Sequence, residues 1–439
     1  MKEKSGCTAC QAGYYGVGCK EDYVLSTIPD VKVVSAVLSA NQEEIIVSYK
    51  SEKNENSGGI TIYDLKGRHI RTCELGFVPS EGVVSGDKVL LGSKSNKSVH
   101  LLGINDCKTL IELDYDDDTS TYSQTAAFHL EGKKMFTMLC YYGPKEKTVG
   151  RQCRGSGTFH IWDLNDIEFG KGSIAKFSDL KAKNKVKTIE IDKYQKVCNH
   201  FKQKAISSSW ETKRFLTPVR GYGGKFLIME SARGRPFALV GVWTEKYSWN
   251  KIDKDFLCEA NRMLFRNPYE KGKTCLELGN FSSFENLKLT AATGSCQTGR
   301  SVTIIFEGQY HIGSGFPLAQ LEGTSFYYDI SIVGEHQNSS VDIALTGQSV
   351  QIYHLDKEWI GRDARNNAYN KNVGKTEVSD ITAVREISSN EFKKTYMMPD
   401  GDKTIARAFF HPNRYLLIIV TEKGLLYIYD KRNPNQGWN

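Results

Sequence analysis

The sequence predicts an all-β protein, a β-propeller running over residues 23–432. Two observations predict it: one strand–turn–strand unit recurs along the chain, and the composition suits short strands and tight turns. The 439 residues are 40% hydrophobic and 11% aromatic, with 39 Gly spread along the chain. Frequent Tyr, Val and Ile with scattered Gly favour strands over helices.

The last copy of the unit is the clearest. Residues 405–411 (IARAFFH) lead through Pro412, Asn413 and Arg414 into 415–421 (YLLIIVT), and Gly424 turns the chain into 425–430 (LLYIYD). A glycine at that place supplies the positive φ of a tight hairpin. An earlier copy joins 44–50 (EIIVSYK), 60–65 (ITIYDL) and 69–75 (HIRTCEL). A third joins 134–141, 157–164 (GTFHIWDL) and 173–180, and a fourth joins 341–346 to 349–356. Weaker copies pair 88–93 with 98–105, 225–230 with 236–243, and 300–306 with 308–313. Four clear copies and three inferred ones make seven blades, with six and eight left open.

The endings ITIYDL, FHIWDL and LLYIYD resemble the third strand of WD40-type blades, where a Trp-Asp or Tyr-Asp pair closes a strand. The usual Gly-His pair is absent and the spacing is irregular, so the resemblance implies a WD40-like propeller. Each blade is a small sheet that cannot bury both faces alone, and stacking in a ring buries them. Residues 23–28 (YVLSTI) are expected to complete the last blade as an added outer strand; the plainer alternative is a linker. Insertions at 193–209 and 251–265 read as helices, and 357–375 reads as an exposed loop.

Residues 1–22 carry Cys7, Cys10, Gly13, Tyr14, Tyr15, Gly16 and Cys19, in the pattern C-x-x-C-x-x-G-Y-Y-G-x-x-C. This resembles the last part of an EGF-like or laminin-type EGF module. In such a module disulfides replace a core too small to fold alone. The resemblance implies a Cys10–Cys19 bond and a partner for Cys7 outside the segment. A zinc site at these cysteines lacks a fourth nearby ligand. Residues 433–439 read as a C-terminal tail.

Eight further cysteines fall in the propeller, and eight allow about 105 pairings. Cys140 with Cys153, and Cys258 with Cys275, are the nearest candidates for disulfides, against buried free thiols. Sequons at Asn96, Asn280 and Asn338 permit glycosylation.

No motif for catalysis stands out: there is no H-E-x-x-H, no P-loop and no G-x-S-x-G. The expectation is therefore a non-enzyme with no cofactor. His160 and His354 lie inside strand patterns and read as packed side chains. Asp114, Asp116 and Asp118 suit calcium by type. However, Thr119 stands where an EF-hand loop has Gly, and a solvated turn is the simpler reading. The net charge of +7 is too mild over this length to point to nucleic acid. Lys181, Lys183, Lys185 and Lys187 read as a solvated connection, with polyanion contact the bolder alternative.

No stretch approaches the roughly 20 apolar residues of a membrane span. Residues 1–6 lack the apolar core of a signal peptide, which favours the cytoplasm or a mature fragment of a longer precursor. The cysteine module argues the other way, toward an extracellular site. Together with a propeller it resembles algal flagellar-hair (mastigoneme) proteins, which carry tenascin-like EGF modules. That resemblance implies an extracellular structural protein, a repeating filament or matrix subunit whose partners are copies of itself or other matrix proteins. Two alternatives stay open. One is an intracellular WD40-like scaffold of a larger complex. The other is a secreted propeller that binds glycans through Trp249, Trp359 or Trp438.

Overall fold

A computed structural model describes residues 23–93, 98–115, 122–127, 134–141, 153–154, 157–170, 172–190, 212–218, 226–232, 238–243, 275–284, 289–296, 301–307, 316–323, 329–335, 340–347, 349–355, 385–387, 393–396, 404–414 and 416–430. The described strands form seven sheets of four or five strands each. The first holds Val31–Leu38, Glu44–Ser51, Gly58–Asp64 and His69–Leu75, paired antiparallel in that order. The second holds Pro79–Ser85, Lys88–Ser93, Ser98–Gly103 and Thr109–Asp114. The third is built from Tyr122–Ala127, Lys134–Tyr141, Gly157–Asp163 and Val186–Glu190. Thr212–Pro218, Phe226–Ala232 and Ala238–Trp243 make the fourth, with Cys153–Arg154 along its first strand.

The fifth contains Cys275–Phe284, Leu289–Cys296, Ser301–Glu307 and Phe316–Gly323. The sixth contains Asp329–Glu335, Ser340–Thr346, Val350–Leu355 and Lys393–Tyr396. The seventh contains Ile405–Phe410, Leu416–Thr421 and Leu425–Asp430, completed by Tyr23–Thr27. The first strands of consecutive sheets touch in turn, and the first strand of the seventh touches that of the first. The sheets therefore stand in a closed ring.

Alternation along a strand explains why the ring holds. In Leu416–Thr421, Leu416, Ile418 and Val420 pack into a cluster with Val33, Ile45 and Val47 of the first sheet. Leu417 and Ile419, pointing the other way, pack with Ala344, Val350 and Ile352 of the sixth. Ile46 and Ile60 likewise face the second sheet through Val89 and Leu91. Successive side chains leave a strand on opposite faces, so a sheet covered on both sides reads as an unbroken apolar run.

Ring closure follows the expected clasp. Tyr23–Thr27 runs antiparallel to the final strand, with Tyr23 opposite Tyr429 and Thr27 opposite Leu425. The Tyr23 ring lies 5.3 Å from that of Tyr427 and 5.4 Å from that of Tyr429. The hydroxyl of Tyr63 donates to the Thr27 carbonyl at 3.4 Å, which ties the clasp to the first sheet.

One predicted strand divides differently. Of residues 173–180, only Ser173–Lys176 is a strand, and it pairs parallel with Thr109–Asp114 of the second sheet. Phe177–Ala182 is a short helix, and the third sheet is finished by Val186–Glu190. The physical reason is a change of period: Phe177 and Leu180, three apart, are both buried on one side of a helical turn. The same detour recurs among the described residues. Arg385–Ile387, between two strands of the sixth sheet, pairs parallel with Phe316–Gly323 of the fifth. The partners of Ser301–Glu307 are Leu289–Cys296 and Phe316–Gly323; the expected 308–313 lies outside the described residues, as do 193–209, 251–265 and 357–375.

Candidate interaction surface

The detour at Ser173–Lys176 places unlike groups together on the outside of the ring. After the third strand of its own sheet, the chain turns over residues 164–170. Ile167 donates its N–H to the Leu164 carbonyl at 3.0 Å, and the Asp163 carboxylate accepts the Asn165 N–H at 3.1 Å. Gly170 (φ 105) and Gly172 (φ 63) adopt left-handed backbone that a side chain would strain. The Gly170 N–H reaches the Leu110 carbonyl at 3.0 Å and starts the new edge.

The helix that follows is anchored from below. Phe177 is buried, its ring 5.5 Å from both Tyr115 and Trp162 and 4.9 Å from His160. The helix ends where Asn184 takes φ 56, and the Lys185 N–H returns to the Leu180 carbonyl at 2.7 Å. Lys185 is held by Asp166 at 2.7 Å, and that bond raises its ammonium pKa.

What stays outside is one large apolar side chain among charges of both signs, with Glu112 and Asp114 in register with Ile174 and Lys176. Ile174 is 63% exposed, against 42% for Leu25 and 39% for Ile70, the other large exposed hydrophobics among the described residues. Lys176, Lys181 and Lys183 are exposed beside it. A shallow, open depression of the surface lies against Phe177, Ser178, Lys181 and Ala182. The Lys181 ammonium sits 5.5 Å from the Phe177 ring centre. Among the described residues no strand pairs with the outward edge of Ser173–Lys176.

The buried histidines nearby are packed rather than poised for chemistry. Burial, then the charge of Lys181, lowers the His160 pKa to about 3. Burial lowers that of His100 to about 4; its Nε2 lies 2.8 Å from the Ser98 hydroxyl and its ring stacks on Phe77 at 4.0 Å.

The residues singled out from sequence are scattered. Cys7, Cys10, Cys19, Cys258, Asn96, Asn338, Asp116, Asp118, His354's side chain and the three Trp candidates lie outside the described residues. Cys140 stands opposite Gly157 in the third sheet, and Cys153 stands opposite Arg214 in the fourth. Cys275 is in register with Cys296. Asn280 lies opposite Thr293 within a strand, and Asp114 lies opposite Ser98. No group of three His, Cys, Asp or Glu suited to a metal occurs among the described residues.

Sequence reasoning missed a disulfide between Cys73 and Cys107, with α-carbons 5.4 Å apart. It joins the outer strand of the first sheet to a turn of the second, where Arg71 also donates to the Asn105 carbonyl. Nothing local in the sequence marks these two of eight cysteines.

Comparison with known proteins agrees with this architecture. No protein-family model matches the chain, and no curated protein sequence matches it. Among solved structures, the β-propeller domain of Cps50 (Swd1) from Myceliophteria thermophila superposes with a TM-score of 0.50 at 10% identity, over 93% of this chain and 99% of that one. The fold is a WD40-like β-propeller. The Dos1 propeller (TM-score 0.46, 9% identity, 93% of this chain and 83% of that one) is also similar. So is hydrazine synthase of Kuenenia stuttgartiensis (0.46, 10%, 92% and 97%); at these scores neither bears on the argument.

The expectation of an extracellular filament or matrix subunit is corrected. The likeness to a β-propeller domain spans 93% of the chain and 99% of that domain, so the chain is matched as a propeller and no filament or EGF-like part is matched. The structure supplies a physical reason. Tyr23–Thr27 pairs with the chain's own final strand, so the ring closes without a strand from a second subunit. No described helix is long and apolar enough to cross a membrane.

Proposed function

We propose that this chain is a non-enzymatic WD40-like scaffold that holds protein partners in a larger assembly. The observation that carries the reading is the surface at Ser173–Lys183. There a closed ring spends an extra strand and a helix to present Ile174 and three lysines outward. A large exposed apolar side chain beside a strand edge that no described strand covers is a liability in a free monomer and an asset at an interface. The cytoplasm suits such a scaffold, and the Cys73–Cys107 bond is the feature that stands against a reducing compartment.

The test is the size of the native protein in a gentle extract. The tagged chain is expected to elute well above a single chain, with crosslinks from partner peptides to Lys176, Lys181 or Lys183. Elution as a free monomer at its natural concentration defeats the scaffold reading.

A further inference from the structure

We infer that Cys275 and Cys296 form a second disulfide, one that fastens the open end of a hairpin in the fifth sheet; this goes beyond the scaffold reading and does not depend on it. The placement comes from the ladder. Cys275 begins Cys275–Phe284, Cys296 ends Leu289–Cys296, and the two stand in register across the antiparallel pair. Facing positions of such a pair lie on the same side of the sheet, with α-carbons about 4.5–5.5 Å apart. A disulfide spans α-carbons about 4.4–6.8 Å apart, so the backbone spacing suits the bond. Among the described residues no other two cysteines share a ladder position: Cys140 stands opposite Gly157 and Cys153 opposite Arg214. Cys73 and Cys107, already joined between two sheets, show that the chain carries such bonds.

Register is what the bond secures. The ladder of this hairpin slips twice, between Cys275 and Glu277 and between Leu278 and Asn280. Each slip leaves a residue out of the pairing. At the other end the turn between Phe284 and Leu289 fixes the register, whereas the open end has no turn to do so. Cys275–Phe284 is also the first strand of its sheet and touches the first strand of the sixth, so fraying there loosens the ring itself. The bond forms by exchange with an oxidised thiol compound, glutathione disulfide or a protein disulfide. One S–S bond forms between Cys275 and Cys296 while the S–S bond of the oxidant breaks. The two protons and two electrons of the cysteine thiols pass to the oxidant, which leaves as two thiols. Like Cys73–Cys107, the bond stands against a permanently reducing compartment.

The test is peptide mapping of the native full chain, its free thiols blocked with iodoacetamide at lysis and the digest run without reductant. A peptide joining Cys275 to Cys296 is expected, and it should part on reduction. Cys296→Ser is expected to uncover one additional blockable thiol, at Cys275, and Cys275→Ser one at Cys296, whereas the double variant uncovers none. Amide hydrogen exchange over residues 275–296 should run at least about tenfold faster in either single variant. Blocked thiols at both positions in the parent chain overturn the inference, whatever the state of Cys73 and Cys107. A bond from Cys275 or Cys296 to any other cysteine, Cys258 included, overturns it as well. Unchanged exchange in both single variants overturns the fastening role. The map is read on the parent chain, so a variant that fails to fold leaves the bond itself decided. No partner protein enters this test, so its failure leaves the scaffold reading standing on the size of the native assembly.

Discussion

His411 of the seventh sheet donates from its Nε2 to the main-chain oxygen of Gln42 in the first, at 2.8 Å, across 369 residues of sequence. The tautomer follows from the other nitrogen. The His411 Nδ1 accepts the Asn413 N–H at 3.1 Å, which leaves the proton on Nε2. The Asn413 side-chain amide donates to the Gln42 side-chain oxygen at 2.7 Å, and Arg414 pairs with Glu43. Gln42 has φ 65, a left-handed conformation that these contacts help to hold. The seam where the ring closes is thus fixed by polar contacts at one end and by the clasp strand.

His411→Ala is expected to lower stability by about 0.5–1.5 kcal/mol, since the half-buried Gln42 carbonyl and the Asn413 N–H both lose their partner. Urea unfolding of the purified chain measures it. An unchanged midpoint would show that the seam does not depend on this contact.

Gly424→Val is expected to destabilise the same seam. Gly424 has φ +84, and a β-carbon there would stand 2.4 Å from the Ile28 carbonyl oxygen and 2.9 Å from a Val31 methyl. Strain at that φ alone costs about 1–3 kcal/mol, and backbone overlap adds to it. The loss is read as a lower melting temperature, and Gly424→Ala should show a smaller loss in the same direction. A melting temperature equal to the parent's would contradict the turn described here.

Reducing agent, or Cys73→Ala, is expected to lower stability by about 2–4 kcal/mol. The bond closes a sequence separation of 34 residues between two sheets. Peptide mapping without reductant should recover Cys73 joined to Cys107. Free thiols at both positions in protein isolated under alkylating conditions would remove the bond from the account, and with it the objection to a reducing compartment.

Acid should unfold the chain by way of its buried histidines. In the unfolded chain His160 titrates near 6.5, whereas burial holds the folded value at about 3. The unfolded state therefore binds more protons between these values, so stability from this group is fully present above pH 6.5 and falls as pH drops toward about 3. His160→Phe, which keeps an aromatic ring beside Phe177, is expected to flatten the fall in melting temperature between pH 7 and pH 4.5. An identical pH profile in parent and variant would refute the assignment.

The strands most open to sequence reading are those buried on both faces. Residues 416–420 and 45–47 are apolar at every position because each face meets a neighbouring sheet. Val31–Leu38 was harder to recognise. It is interrupted by Lys32 and Ser35 and bends at a register shift, so no clean alternation marks it. The first strand of a blade has only part of its surface in the core, and its pattern is correspondingly weak.

By itself the sequence determined the all-β class, the repeated unit, the glycine turn before the last strand and the N-terminal strand that completes the last sheet. Each of these depends on local periodicity or on one residue's backbone freedom, and both are written along the chain. Only the tertiary structure decided that Ser173–Lys176 leaves its own sheet for the preceding one, that Cys73 meets Cys107, and that His411 meets Gln42. Those contacts join segments far apart in the chain. Their energy comes from where the ring brings surfaces together, and no local pattern of residues records that.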